Sequence, residues 1–219
     1  MDHQSRPRVR TKKSARDRLI RLAASHPTWV LGFQDEVWWS RLARPSLRAW
    51  VEEDDRPRLI EQAVANDDPD PKALACSGLL LRADPTADEI WLRFVDGRPV
   101  SPVTIDYLDW CCRKLHAAGK EALLLSWDNA PWHVSQQVRT WIRDHNRQVK
   151  QHGYGVRIIP CYLPVKSPWL NAIEATWAHG KRRVLEADRL LTIDELAERV
   201  AEAYGCPHEP HLVIPEKAA

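Results

Sequence analysis

The sequence predicts an α/β protein in which a mixed sheet of five strands is flanked by helices. Short apolar runs bounded by turn residues recur along the chain and read as strands. The first three follow one another without an intervening helix, and beyond Ser101 helical and strand patterns alternate. With 219 residues, 44% hydrophobic and 28% charged, the chain is long enough to bury a substantial core and its composition is that of an ordinary globular protein.

The elements follow in order. Residues 14–25 pattern as a short amphipathic helix that His26-Pro27 ends. Trp29 to Gln34 forms an apolar strand that delivers Asp35 and Glu36 at its end. Residues 45–72 hold Pro45, Pro57, Pro69 and Pro71 and the acid run Glu52-Glu53-Asp54-Asp55, and read as an irregular or partly helical insertion. Leu74–Leu81 and Glu89–Val95 are the next strands, with a turn at Asp84-Pro85-Thr86. A helix to about Ala118 follows, with Ser101 as N-cap, Pro102 at its first position and Gly119 past its end. Ala122–Trp127 is the clearest strand and ends on Asp128. The remaining pattern is a helix from about His133 to Asn146, a strand near Val156–Ile159, and helices at about Pro168–Leu185 and Ile193–Tyr204.

Composition excludes several classes. No run approaches 18 apolar residues, so no membrane span is expected, and the N-terminus has no apolar signal region. Five cysteines without a CxxC pair fit reduced thiols, and the expected location is the cytoplasm. The net charge of +2 is uneven. Residues 1–25 carry eight Lys or Arg against two Asp, a local +6, which leaves −4 for the rest. A basic arm of this kind suits a polyanionic partner or a solvated leader.

Three acids stand at strand or helix ends: Asp35, Asp128 and Glu174. Hard divalent cations take oxygen ligands from a few carboxylates, and two such ions clamp an in-line phosphoryl transfer. Gathering three carboxylates without a cation would cost repulsion, so a cluster implies metal, with Glu36 as an alternative ligand to Asp35. On a helix opening at Ser167-Pro168, Asn171, Glu174, Ala178 and Lys181 share one arc, and Leu170, Ile173, Trp177 and Val184 form the apolar stripe beside it. Lys181-Arg182-Arg183 either meets phosphate or is a solvated basic turn. Cys206, His208 and His211 offer three candidate ligands in a proline-rich tail, one short of a structural zinc site.

The words around the acids are more specific than the acids. Asp128-Asn129-Ala130-Pro131-Trp132-His133, and the segment from Leu163-Pro164 through Ser167-Pro168, Leu170-Asn171 and Ile173-Glu174 to Trp177, resemble motifs of the mariner-like insertion-sequence transposases. Phe33-Gln34-Asp35-Glu36 looks like that family's first catalytic strand, and the likeness spans roughly residues 26–185. The resemblance implies a ribonuclease H-like fold and a DDE site in which Asp35, Asp128 and Glu174 bind two Mg²⁺ or Mn²⁺ ions. It further implies double-stranded DNA as substrate, a TA-containing target and a homodimer. Asn129, His133 and Asn171 are expected just behind the acids; Asn129 and His133 orient Asp128 or touch DNA, with capping of the next helix open for Asn129. Lys166, Lys181, Arg182 and Arg183 are the expected DNA contacts.

Two features depart from that family. The interval from Asp128 to Glu174 is 46 positions, with the extra length around Arg143–Tyr154. Only 34 residues precede Asp35, where relatives carry helix-turn-helix domains, so a recognition part is expected to be either encoded separately or lost by truncation or frameshift. The expected organisation is a basic arm and short helix over 1–25 and a catalytic domain over 26–219. The alternative is a silent remnant that binds DNA or the full transposase as an inhibitor.

Overall fold

The computed structural model describes residues 7–41, 67–84, 87–184 and 190–214. Helix α1 (Pro7–Ser25) precedes three strands, β1 (Trp29–Ser40), β2 (Ala73–Asp84) and β3 (Ala87–Asp96). Then come α2 (Ser101–Ala117), β4 (Ala122–Trp127), α3 (Gln136–His152) and β5 (Arg157–Tyr162). A 3₁₀ turn (Pro168–Leu170), α4 (Ile173–Val184), α5 (Ile193–Tyr204) and β6 (Leu212–Val213) complete the chain. The element order is the expected one. The sheet, however, has six strands in the order β5-β4-β1-β2-β3-β6. The sixth pairs only Leu212 and Val213 with the end of β3, too short to leave a periodic signal.

Strands β1, β4 and β5 run parallel to one another, and β2 lies antiparallel between β1 and β3. Each strand offers alternate residues to two cores. On one side Ala75, Leu79 and Leu81 of β2 meet Tyr107, Leu108 and Leu115 of α2 and Val138 and Ile142 of α3. On the other, Leu74, Cys76 and Leu80 meet Leu19 of α1, Ile173 and Trp177 of α4, and Leu196 and Val200 of α5.

Several boundaries depart from the sequence expectation. Strand β1 does not stop at Gln34: antiparallel pairing with β2 carries it from Leu31↔Arg82 to Ser40↔Ala73, so Asp35 and Glu36 lie inside it. Helix α2 starts at Ser101 itself; Val100 is its N-cap and contributes no side-chain bond. Helix α3 begins at Gln136 with Ser135 as its cap and runs to His152, where left-handed Gly153 ends it. The extra length before Glu174 is therefore helix. The segment expected as one helix from Pro168 is a 3₁₀ turn followed by α4, which puts Asn171 between the two, off the α-helix. Helix α1 begins about two turns before Ser14, at Pro7.

The acid run Glu52–Asp55, most of the insertion, Pro85-Thr86 of the turn and the helix end at Leu185 lie outside the described residues. The described residues on either side of the insertion, and those just before α5, meet at buried Arg41. Its Nε donates to the Leu191 carbonyl at 2.6 Å and its guanidinium pairs with Asp68 at 2.9 Å, so one side chain ties both ends of the insertion to the segment that leads into α5.

Candidate functional site

The site exists because β4 is short and β1 is long. Parallel pairing of the two ends at Phe33↔Ser126, and two more residues in the same register set Asp35 level with Asp128. Strand β4 stops at Trp127, so Asp128 leaves the sheet edge while Asp35 stays inside a strand paired on its other side with β2. Glu174 arrives in the first turn of α4. The start of that helix is pinned by Asn171, whose buried Nδ2 donates to the Gln34 carbonyl at 3.0 Å, one residue before Asp35.

Asp35 is held by Trp177, whose Nε1 donates to its Oδ2 at 3.2 Å. Gly78, the cross-strand partner of Asp35, makes that bond available: a Cβ there would collide with the Trp177 ring at Cη2. Trp177 thus fills the core, as the stripe on α4 implies, and also reaches the site. Burial, followed by the charges of Glu36, Glu174 and Asp128, raises the Asp35 carboxyl to about 7. The three expected acids therefore sense one another.

Glu36, the alternative ligand to Asp35, points away from it. Side chains alternate along a strand, so Glu36 faces the α2–α3 side while Asp35 faces α4. Its Oε1 accepts from Gln34 Nε2 at 2.7 Å and lies 3.1 Å from His133 Nε2, and its Oε2 accepts from Trp132 Nε1 at 3.0 Å. The other nitrogen of the fully buried His133 ring, Nδ1, is 2.7 Å from Asp128 Oδ1, which also accepts the Ala130 N–H at 2.8 Å. The ring stacks on Trp127. Burial disfavours a charged imidazole, but Glu36 and Asp128 outweigh it and raise His133 to about 9. Burial likewise pushes Asp128 upward, and the His133 and Ala130 bonds more than offset it, leaving the carboxyl below its usual range. Strand alternation announces that Asp35 and Glu36 diverge; nothing in the sequence announces that Glu36 meets His133.

Asp128 and Glu174 line one cleft of about 240 Å³ together with Asn129, Lys166 and Asn171. Asn129 does not cap α3; its Nδ2 donates to the Leu163 carbonyl at 2.5 Å and braces the exit of β5. Lys166 stands exposed on the rim with a left-handed backbone, φ 58°. Lys181, Arg182 and Arg183 are exposed in the last turn of α4, two turns beyond Glu174 and outside the cleft lining. Cys206 donates to the Ile90 carbonyl and His211 pairs with Asp96 at 2.6 Å, so the tail residues are engaged with β3.

The donor set suits a hard cation: oxygen ligands, a carboxyl raised by burial and then by its acidic neighbours, and a buried Asn171 Oδ1 at the cleft that accepts no bond among the described residues. The carboxylates share this region without closing into a cage, and no group of three His, Cys, Asp or Glu side chains among the described residues is tight enough to enclose an ion.

A family model described as DDE superfamily endonuclease matches residues 30–197. Among solved structures, the Mos1 transposase paired-end complex with left transposon end aligns over 94% of this chain and 57% of its own, at 16% identity and a TM-score of 0.61. The Mos1 mariner paired-end complex with Mn aligns over the same shares at 16% identity and 0.60, and the complex with Mg over 93% and 57% at 12% identity and 0.55. At these identities the likeness is one of fold, and the chain spans little over half the length of those structures. No curated protein matches the chain.

Proposed function

Because the chain belongs to the DDE superfamily endonucleases, we propose that it is the catalytic domain of a DNA transposase, cutting a phosphodiester at the end of a mobile element and joining the freed 3′-hydroxyl to target DNA. The observation that carries this reading is the register that sets Asp35 level with Asp128, with Glu174 lining the same cleft as Asp128. We assign these three carboxylates as the holders of two Mg²⁺ or Mn²⁺ ions. Bound there, the ions would activate water or hydroxyl and offset charge on the phosphate.

The chain's own residues prepare that site. Trp177 fixes one oxygen of Asp35, His133 fixes one oxygen of Asp128, and Asn171 holds the start of α4 against β1. Lys166 on the rim offers an ammonium to the phosphate backbone, and Lys181, Arg182 and Arg183 extend a basic track along α4. The complexes with Mn, with Mg and with a transposon end among the similar structures support a divalent ion and double-stranded DNA as cofactor and partner. A TA-containing target, a homodimer, a helix-turn-helix part supplied separately, and a cytoplasmic location complete the proposal. No helix among the described residues is long and apolar enough to cross a membrane. In the proposed organisation, residues 1–25 form a basic arm and a short helix, the helix packing through Leu19 on the catalytic domain over 26–219.

A strand-cleavage assay on duplex DNA with Mg²⁺ or Mn²⁺, with and without a helix-turn-helix partner, tests the reading. Metal-dependent cleavage that disappears in folded Asp128→Asn and Glu174→Gln variants is the expected result. Cleavage that persists in both would sink it.

A further inference from the structure

We propose that Glu36 is a positioning residue for Asp128, acting across the sheet through His133. The inference rests on the carboxylate site proposed above and adds a residue that neither lines the cleft nor shares a face with Asp35. Three contacts carry it. Glu36 is almost entirely buried, its side chain 7% exposed, and three donors surround its carboxylate: Gln34, Trp132 and His133. His133 is fully buried and has a carboxylate oxygen at each ring nitrogen, Glu36 at 3.1 Å and Asp128 at 2.7 Å. Asp128, by contrast, is half-exposed at the sheet edge, one residue past the end of β4.

An aspartate in that place would swing between rotamers unless something held it. The side-chain hold on it is the ring, beside the Ala130 amide, and the ring cannot choose its own orientation. Glu36, clamped by Gln34 and Trp132, fixes His133 Nε2; stacking on Trp127 fixes the ring plane; Nδ1 is thereby aimed at Asp128 Oδ1. One oxygen of Asp128 is bound to His133 and the Ala130 amide, which leaves Oδ2 for the cleft. Carboxylate–histidine pairs behind a ligand set both its direction and its basicity, and losing one costs about 10- to 100-fold in metal affinity or activity.

Glu36→Gln is nearly isosteric but sets an amide NH₂ against groups that already donate. It should raise the Mn²⁺ concentration needed for half of the metal-induced rise in melting temperature by about tenfold or more. His133→Gln should raise it at least as much, and the double variant should be no worse than His133→Gln alone, because Glu36 acts only through the ring. A merely structural Glu36 would lower the metal-free melting temperature and leave the Mn²⁺ midpoint unchanged, and that result overturns the proposal. Additive effects in the double variant overturn it too. If Glu36→Gln does not fold, His133→Gln set against an otherwise parental Glu36→Asp variant decides by the same midpoint. A parent with no Mn²⁺ response removes the carboxylate site itself, and the positioning role falls with it; a parental response shared unchanged by Glu36→Gln removes the positioning role alone.

Discussion

Asp35 lies inside β1 and Asp128 level with it just past the end of neighbouring β4, yet their surroundings treat the two carboxyls oppositely. Asp35 is raised to about 7 by burial and then by the repulsion of its acidic neighbours, whereas Asp128 is lowered by His133 and the Ala130 amide. Uniform strain across three acids would make Asp128→Asn stabilising in the absence of metal; the structure transfers that expectation to Asp35. Metal-free Asp35→Asn should melt at or above the parent at pH 8, and Asp128→Asn below it, while both lose the Mn²⁺-induced shift. Melts of the three proteins with and without Mn²⁺ check this. The pH dependence has a definite sign. A carboxyl raised from 3.8 to about 7 holds a proton in the folded state that the unfolded state has released, so its contribution is full below about 4 and is lost as pH rises towards 7. The melting temperature of the metal-free parent minus that of Asp35→Asn should fall across that window and level off above it. A difference that stays constant between pH 4 and pH 7 would refute the assignment.

At the scale of elements, α4 is aimed at the site by what the facing strand lacks. Gly78 leaves the space in β2 that the Trp177 ring occupies, and within α4 Gly180 admits Tyr204 of α5, whose hydroxyl donates to the Thr176 carbonyl at 3.0 Å. Adding a methyl at position 78 forces the indole away and breaks its bond to Asp35. Gly78→Ala should therefore cost about 1–3 kcal/mol of stability and also weaken metal binding. Trp177→Phe, which keeps most of the packing but removes the N–H, should lose much less stability and show a comparable metal defect. Chemical denaturation with a Mn²⁺ titration separates the two effects; a Gly78→Ala protein with parental stability would show that α4 tolerates a shift away from the strand.

For the whole molecule, the basic arm is expected to serve DNA binding rather than the stability of the body. Helix α1 buries Leu19 in the α4–α5 core, and Arg16 donates to the Leu170 carbonyl at 3.3 Å, so its C-terminal half belongs to the body. The residues before Ser14 include Arg6, Arg8, Arg10, Lys12 and Lys13. Deleting residues 1–13 should leave the melting temperature near that of the parent. DNA affinity should drop, and the slope of log affinity against log salt should flatten by about 0.9 for each phosphate that the arm no longer neutralises. The intact chain should bind duplexes of unrelated sequence alike, since interactions with phosphate carry no sequence information. Binding isotherms at several salt concentrations provide the check, and a single preferred sequence at physiological salt would contradict it.

Chemistry local to the chain was legible from the sequence: the element order, the apolar stripe of α4, the acids at Asp35, Asp128 and Glu174, and the family-like words around the last two. Periodicity and motif spacing depend on neighbours a few residues apart, and those are written in the chain. Boundaries set by pairing were not. The run of β1 to Ser40 depends on β2, more than thirty residues later, and the two-residue β6 exists only because the end of β3 is open to it. The helix start at Ser167-Pro168 read as a cap locally, but Asn171 was drawn into a bond with the Gln34 carbonyl and the first turn tightened to 3₁₀. Most of all, Glu36 beside Asp35 looked like a spare ligand. Only the pleat of the sheet and the arrival of His133 on its far face decided that the two neighbouring acids face different partners, one towards Trp177 and the cleft's carboxylates, the other towards the ring behind Asp128.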